Sequence, residues 1–563
     1  MTRWSKASGP SMLIARALYS AVWYLASSRK YPWCRLSPMI VARSKSLLAT
    51  TAVLLAFVWP ALVTWSAPPP RMPAFPGAEG YGAFSAGGRG GRIIPVDTLA
   101  DTGPGSFRAA VQADGPRTVV FRVSGVIEPQ SRIEIVSPYI TIAGQTAPGD
   151  GITLQATEQN GQMLWIRTHD VVIRHLAIRG APYGRPGEGQ VNVMFDAFPA
   201  QGSRYGDIYN VILDHLSTSW SLDENIAVWR NLFDDPATWP THPTISDISI
   251  QNCLIAEGLY PHSTGIQAGG DRIKEDGRSV FNGGFGVERL SIHRNLFASN
   301  SHRCPSIGTA TARVINNVVY NWSSKAAATH DAIQTDWIGN YFKPGPLSSL
   351  SHLIVHNDFF VGHPNHRFDP PSLYMSDNVL GSQPERSDWD LYFIHYEEAR
   401  LVPTSYRRDV PLPAAAAPVN IVGSRDAYLQ VLRDVGARAR TGASGAQVFR
   451  NDPVDERILG DVRGGRGPGY GGERTHYTDP KQAGVVMPRQ GGVPYRDDDQ
   501  DGFADEWEIR FGLDPGTPDP SDRDQDADGY TDFEEFLNQT DPLVASGHPL
   551  QPSKGRVAPR RSR

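Results

Sequence analysis

The chain has 563 residues, 40% of them hydrophobic and 20% charged, with a formal net charge of -5. That balance describes an ordinary soluble globular protein and argues against a nucleic-acid binder, although an acidic polymer could still meet a local basic cleft. The three cysteines, Cys34, Cys253 and Cys304, are too few for a disulfide scaffold and lack metal-ligand spacing.

In chain order, residues 1–38 form a basic, aromatic leader, and the apolar run Leu47 to Val63 follows Arg43 and Lys45 and precedes Ser66 and Ala67. This is the layout of a secretory signal peptide, with an uncleaved anchor as the alternative; a start at Met39 would give the peptide normal proportions. Residues 1–67 are therefore read as leader and signal. The protein is expected to be secreted, periplasmic or at the cell surface. Pro68 to Pro70 make a stiff spacer.

From Val119 to about Leu380 short alternating runs, such as Thr118-Val119-Val120-Phe121 and Tyr139-Ile140-Thr141-Ile142, are cut by Gly, Pro and Asp turns and read as strands. Asparagine returns before apolar pairs at Asn295, Asn317, Asn340, Asn357 and Asn378, at intervals of 22, 23, 17 and 21 residues. Periods near 20 indicate a solenoid with one coil per repeat, since one repeat cannot bury its apolar face alone. An asparagine amide both donates and accepts, so stacked asparagines can satisfy one another along the coil axis. Asn295, Asn317, Asn340 and Asn357 are expected at equivalent turns. Cys253 and Cys304 read as buried small apolar groups, with one disulfide as the alternative.

Ser424 to Gly436 reads as an amphipathic helix with Ser424 as N-cap and Tyr428, Leu429, Val431 and Leu432 on or near one face. Residues 437–495, rich in Gly, Arg and Pro, are expected to be irregular, with 466–495 as a linker. In 496–545, Asp497, Asp499, Asp501, Gly502, Asp505 and Glu508 fit positions 1, 3, 5, 6, 9 and 12 of an EF-hand-like calcium loop. Asp524, Asp526, Asp528, Gly529, Asp532 and Glu535 fit it again, 27 residues on. Outside a cell, where calcium is roughly millimolar, such loops serve structure rather than signalling. Residues 546–563 read as a disordered basic tail.

Several segments carry a resemblance in a common order: Phe75-Pro76-Gly77-Ala78-Glu79-Gly80-Tyr81-Gly82, Gly87-Gly88-Arg89-Gly90-Gly91, Ile142-Ala143-Gly144-Gln145-Thr146-Ala147-Pro148-Gly149, Ser219-Trp220-Ser221-Leu222-Asp223-Glu224 and His302-Arg303-Cys304-Pro305. Together they resemble bacterial secreted pectate lyases of polysaccharide lyase family one, followed by a tail similar to EF-hand-like or thrombospondin type 3-like calcium modules. The glycines 87–91 are no phosphate loop, since no Gly-Lys-Ser/Thr follows. The resemblance implies an all-β, right-handed parallel β-helix over residues 68–465. It also implies a monomer that cleaves pectate or a related uronate-containing polysaccharide by calcium-assisted β-elimination.

Elimination needs a group to take the C5 proton of a uronate and a cation to neutralise the adjacent carboxylate, a task suited to calcium and its oxygen ligands. By resemblance Asp196 matches a calcium ligand, Asp223 and Glu224 fall near the next acidic ligands, and Arg303 matches the base. A guanidinium is a poor base in water, so stabilising the developing enolate is an equally physical role for Arg303. Met194 and Ala227 depart from the pattern, standing where further carboxylates are expected. Ser306, Ile307 and Gly308 stand where a second arginine often follows. Substrate contacts are then assigned to His262, Arg174 and Arg179, each with a structural role as the alternative reading, while Asp214 and His215 are read as structural. The rival readings are a glycoside hydrolase on the same scaffold, using paired carboxylates, and a non-catalytic carbohydrate-binding protein.

Overall fold

The computed structural model describes residues 71–182, 190–197, 206–230, 244–270, 272–275, 278–281, 287–308, 310–330, 333–350, 353–357, 370–394, 400–469, 476–484 and 491–545. The leader and signal peptide at 1–67 and the basic tail at 546–563 lie outside the described residues. The short apolar runs become rungs of three sheets of ten, nine and ten strands among the described residues. The first runs from Arg92–Val96 to Ser372–Ser376, the second from Gly125–Ile127 to Val379–Leu380, and the third from Ile133–Ile135 to Arg400–Leu401. Successive coils visit the three sheets in turn and pair in parallel; only the last pair, Tyr392–Ile394 with Arg400–Leu401, is antiparallel within them. This is a parallel β-helix. Its coils begin and end farther out than the expected 119–380.

Register explains the core. Ile142, Ile173, Leu213, Ile250, Ile292, Val314 and Trp337 pair coil to coil as one buried column. Each such side chain contributes roughly 1.5–3 kcal/mol by burial. From the strand Val171–Arg174 onward, each coil turns after the first sheet through one left-handed residue: His175, His215, Asn252, Arg294, Asn316, Gly339 and Asp377, with φ between 52° and 63°. The next position carries the asparagine ladder. Asn295, Asn317 and Asn340 each donate Nδ2 to the next ladder residue's Oδ1, at 3.0, 3.0 and 2.8 Å. Cys253 N–H is accepted by Asn295 below the ladder, and Asp388 accepts from Asn378 above it. Asn357 does not join. It ends a strand of the third sheet and contacts His330, because the 17-residue step from Asn340 is less than a coil and the true partner is Asn378.

One helix caps the first coils of the solenoid and another packs along the outer face of its second sheet. Helix α1 (Phe107–Val111) buries Phe107, Ala110 and Val111 on the first coils. Buried Arg117 donates to its late carbonyls Ala110 O and Val111 O, satisfying acceptors that a helix end leaves open. Helix α2 spans Ser424–Asp434, but its N-cap is Gly423, and Ser424 is buried with its N–H on Asp377 Oδ2 at 2.8 Å. Leu429 is 66% exposed, whereas Val431 and Leu432 are buried. The stretch expected to be irregular holds a hairpin, Ala439–Thr441 with Gln447–Phe449, and helix α3 (Pro453–Gly464). Asp452 caps α3 and Pro453 opens it, a start signal present in the sequence. Arg466 and Pro468 carbonyls accept from Tyr320 and Asn321, so the expected linker begins against the second sheet. Cys253 and Cys304 are free and buried; they form no disulfide.

The acidic tail carries helices α4 (Asp505–Phe511) and α5 (Asp532–Asn538). Phe503, Trp507, Phe533 and Phe536 share a buried cluster with Val120 and Ala143 of the first sheet. Arg89 binds Glu534 at 2.8 Å, and Arg174 donates to Asn538 at 2.7 Å.

Candidate functional site

Asp223 and Glu224 open a strand of the third sheet, Glu224–Arg230. Glu224 pairs in register with Thr264 on the next coil, and Thr264 bridges to His302 on the one after. Arg303 therefore lies two coils from Glu224, although 79 residues separate them in sequence. Part of that length is an antiparallel hairpin, Arg272–Glu275 with Arg278–Phe281, outside the coil. Arg303 contacts the Glu224 carboxylate through Nη1. His262 Nδ1 lies 2.8 Å from Asp223 Oδ1. Ligand atoms of Asp223, Glu224 and His262 all lie within 4.8 Å of one another. Burial raises the Glu224 carboxyl, Arg303 opposes that shift and Asp223 adds to it.

Two residues to which the sequence reading gave no role, His302 and Lys325, frame the same place. Burial, then Arg303 and Lys325, lower His302 to about 3. Burial and then Arg303 lower Lys325. Lys325 comes from the following coil, where no short motif marks it. Met194 and Ala227 are direct register partners in the third sheet, so two adjacent positions expected to be acidic are apolar. A calcium ion takes six to eight oxygens. Asp223 and Glu224 are two hard donors, already facing His262 and Arg303, and they fit such an ion only as part of a set completed by substrate oxygens.

Asp196 is on the neighbouring coil of the same sheet, but its register partner is Trp229, five residues along the strand from Glu224. At about 3.3 Å per residue this is roughly 16 Å. It is buried and accepts from Arg167 Nη2 at 2.6 Å. Asp196 is therefore a partner of Arg167 rather than a member of the Asp223–Glu224 group. Arg179 is fully buried, held by Asp452 at 2.9 Å and Asp455 at 2.8 Å. It ties α3 to the second sheet and offers nothing to a polymer. Arg174 ends a strand of the first sheet, with its Nε on Asp214 Oδ2 at 2.9 Å. Neither arginine joins Arg303. Asp214 also accepts from Gln251 and Asn252 and contacts His215 Nδ1 at 2.8 Å. Despite burial, His215 and Arg174 hold its carboxyl well below the usual range. Trp220 is buried and donates to Glu257 at 3.0 Å.

The two acidic loops have matching backbones. Gly502 and Gly529 each have φ 101°, and their N–H groups reach Asp497 Oδ2 and Asp524 Oδ2 at 3.2 and 3.0 Å. Ligand atoms of Asp497, Asp499 and Asp501 gather within 4.8 Å, as do those of Asp524, Asp526 and Asp528. Glu508 and Glu535 are fully buried, with Glu508 Oε1 and Oε2 and Glu535 Oε2 unpartnered. Buried, unpaired carboxylate oxygens beside further carboxylates are the donor set of a hard cation. Asp505 and Asp532 face elsewhere. Asp505 accepts from Asp498 N–H at 2.9 Å and faces Arg496 at 3.0 Å. Asp532 accepts from Gln525 N–H at 2.9 Å and faces Arg523 at 3.1 Å. Position nine thus has both carboxylate oxygens engaged in bracing each loop. A third carboxylate group joins Asp501 and Glu508 with Asp519, which lies outside the twelve-residue pattern.

Fold and site define a parallel β-helix protein with carboxylates, histidines and an arginine gathered where successive coils enter one sheet. No protein-family model matches the chain. It is 32% identical over 477 residues to probable pectate lyase C of Aspergillus terreus, covering 83% of this chain and 94% of the relative. It is 31% identical over 477 residues to probable pectate lyase C of Emericella nidulans, covering 84% and 94%. The crystal structure of jun a 1, the major allergen from cedar pollen, is 15% identical, with a TM-score of 0.46 over 64% of this chain and 92% of that one. The chain belongs to the pectate lyase family.

Proposed function

We propose that this protein is a polysaccharide lyase that cleaves pectate or a related uronate polymer by β-elimination, with Arg303, Asp223, Glu224 and His262 at its reactive centre. The observation that carries this reading is the contact of Arg303 with Glu224, 79 residues earlier, beside the Asp223–His262 contact. In the reaction the C5 proton passes to a base, the role the family resemblance gives Arg303, the C4–O bond to the neighbouring sugar breaks with that oxygen taking a proton from solvent, and a C4–C5 double bond forms. Arg303 directs N–H donors at the charge that develops on the uronate carboxylate. On substrate binding it exchanges Glu224 for that carboxylate, so its position is set before the polymer arrives. Lys325 adds a positive charge for neighbouring uronates, and His302, which burial and Arg303 keep neutral, adds an imidazole beside it. Asp223 and Glu224 would hold calcium shared with the substrate, which would supply the positive charge that acidifies C5. The two tail loops would hold calcium for stability, through Asp497, Asp499, Asp501 and Glu508, and through Asp524, Asp526, Asp528 and Glu535.

Export fits the apolar run Leu47 to Val63, and among the described residues no helix is long and apolar enough to cross a membrane. The apolar pair Met194 and Ala227 favours a second reading, a β-helix that binds uronans without cleaving them. Incubation with polygalacturonate, with calcium and with chelator, separates the two. Ultraviolet absorbance from unsaturated uronate is expected only with calcium. Binding without that absorbance would leave the second reading.

A further inference from the structure

We infer that the first tail loop is a calcium site completed by Asp519 in place of Asp505, and that filling it fastens the tail to the first coils of the β-helix. The inference rests on the calcium reading of the loops and specifies the ligands and consequence of one of them. Asp501 belongs to two carboxylate groups, one with Asp497 and Asp499 and one with Glu508 and Asp519, so four other carboxylates gather about it, five in all. Asp497 Oδ1, Asp499 Oδ2, Asp519 Oδ2 and both oxygens of Glu508 are buried and unpartnered. Asp519 is anchored for this role. Its N–H donates to Asp501 Oδ2 at 2.7 Å, and Arg523 holds its Oδ1 at 2.5 Å, leaving Oδ2 for the site. Asp505 has both oxygens engaged, on Asp498 N–H and Arg496.

The same loop is the tail's contact with the solenoid. Asp497 offers Oδ1 to the site and takes Arg122 Nη1 on Oδ2 at 3.0 Å. Arg122 directly follows a strand of the first sheet. Gly502 lies so close to Ile93 that a Cβ there would be 2.7 Å from Ile93 Cγ2. Phe503 and Trp507 complete the buried cluster with Val120 and Ala143. Five carboxylates around one point repel one another without a cation. Metal removal therefore opens the segment that positions Asp497, Phe503 and Trp507 against the first coils. The second loop has no equivalent of Asp519 among the described residues and should bind calcium more weakly.

The test is calorimetric titration of the metal-stripped full chain with calcium chloride, in an Asp223→Ala background that takes the cleft out of the count. Limited proteolysis of residues 491–545 runs alongside. Two binding events are expected. Asp519→Asn should weaken the tighter one by about tenfold, as loss of a charged ligand does, leave the other unchanged, and raise in proportion the calcium needed for protease resistance. Asp505→Asn keeps an oxygen for Asp498 N–H and should stay within about twofold of the parent. Should Asp519→Asn fail to fold, Asp519→Glu, which keeps the charge and displaces it by one carbon, carries the same comparison. An Asp519 variant that titrates like the parent, or Asp505→Asn losing as much affinity as Asp519→Asn, overturns the inference while leaving calcium loops in the tail. A parent tail with no binding at millimolar calcium overturns both.

Discussion

Arg303 reaches Glu224 from a left-handed backbone, with φ 59°, and its carbonyl accepts Ile266 N–H at 2.7 Å. Gly265 passes so near that a Cβ there would be 2.6 Å from Arg303 O, a contact with backbone that cannot rotate away. Gly265→Ala should therefore displace Arg303 while the buried columns of the solenoid stay intact. Turnover on polygalacturonate is expected to fall by about 100-fold, the scale of a displacement near 1 Å; unchanged turnover would show that Arg303 tolerates the shift. Arg303→Lys keeps charge but loses the planar fork. It should lower turnover by roughly 100- to 1000-fold, with thermal unfolding and polymer binding as in the parent. Asp223→Ala leaves Arg303 in place and should mainly raise the calcium concentration for half-maximal rate, measured by product absorbance.

At the scale of the element, the asparagine ladder distinguishes residues alike in sequence. Asn317 accepts from Asn295 N–H and Nδ2 and donates Nδ2 to Asn340 Oδ1 and Ile292 O. Asn317→Ala strands buried donors on Asn295 and should cost about 3 kcal/mol. Asn357 contacts His330 with its side-chain amide instead of joining a ladder, and Asn357→Ala should cost about 1 kcal/mol. Denaturant midpoints of the two variants compare them directly, and equal losses would remove the ladder's special standing. Asparagine recurrence was legible as a pattern. Membership was not, because insertions stretch the coil from Asn340 to Asn378 to 38 residues while Asn357 falls on another sheet.

Across the whole molecule, acid should loosen the packing of the C-terminal stretch on the coils. His476 is buried with Nδ1 2.9 Å from Ser299 O, near His302. Burial lowers it to about 4, only partly offset by the Ser299 bond. A folded-state value below the unfolded value of about 6.5 means that the folded protein binds fewer protons. The stability it contributes is present above about pH 6.5 and is lost as pH falls through about 4. The loss is on the order of 3 kcal/mol. His476→Gln should flatten the fall in urea midpoint between pH 7 and pH 4.5; a slope equal to the parent's would assign the acid sensitivity elsewhere.

Local chemistry repeated along the chain was determined by sequence alone: β-branched runs with turn residues, recurring amides, and acidic residues spaced around Gly502 and Gly529. Each pattern works within one coil or one loop, so its spacing shows in linear order. Tertiary structure decided which charges meet. The two-coil offset between Glu224 and Arg303 depends on insertion lengths, and Asp196 misses the group by five positions of register. A structural role for Arg179 was one of its two readings, but its partners were unreadable, because Asp452 and Asp455 lie 273 and 276 residues away at the start of a helix that folds back over the second sheet. In the tail, spacing nominated Asp505, but its carboxylate was already used by Asp498 N–H and Arg496, and the available oxygen came from Asp519. A carboxylate's role depends on which donors reach it first, and that competition is settled only when distant segments are packed together.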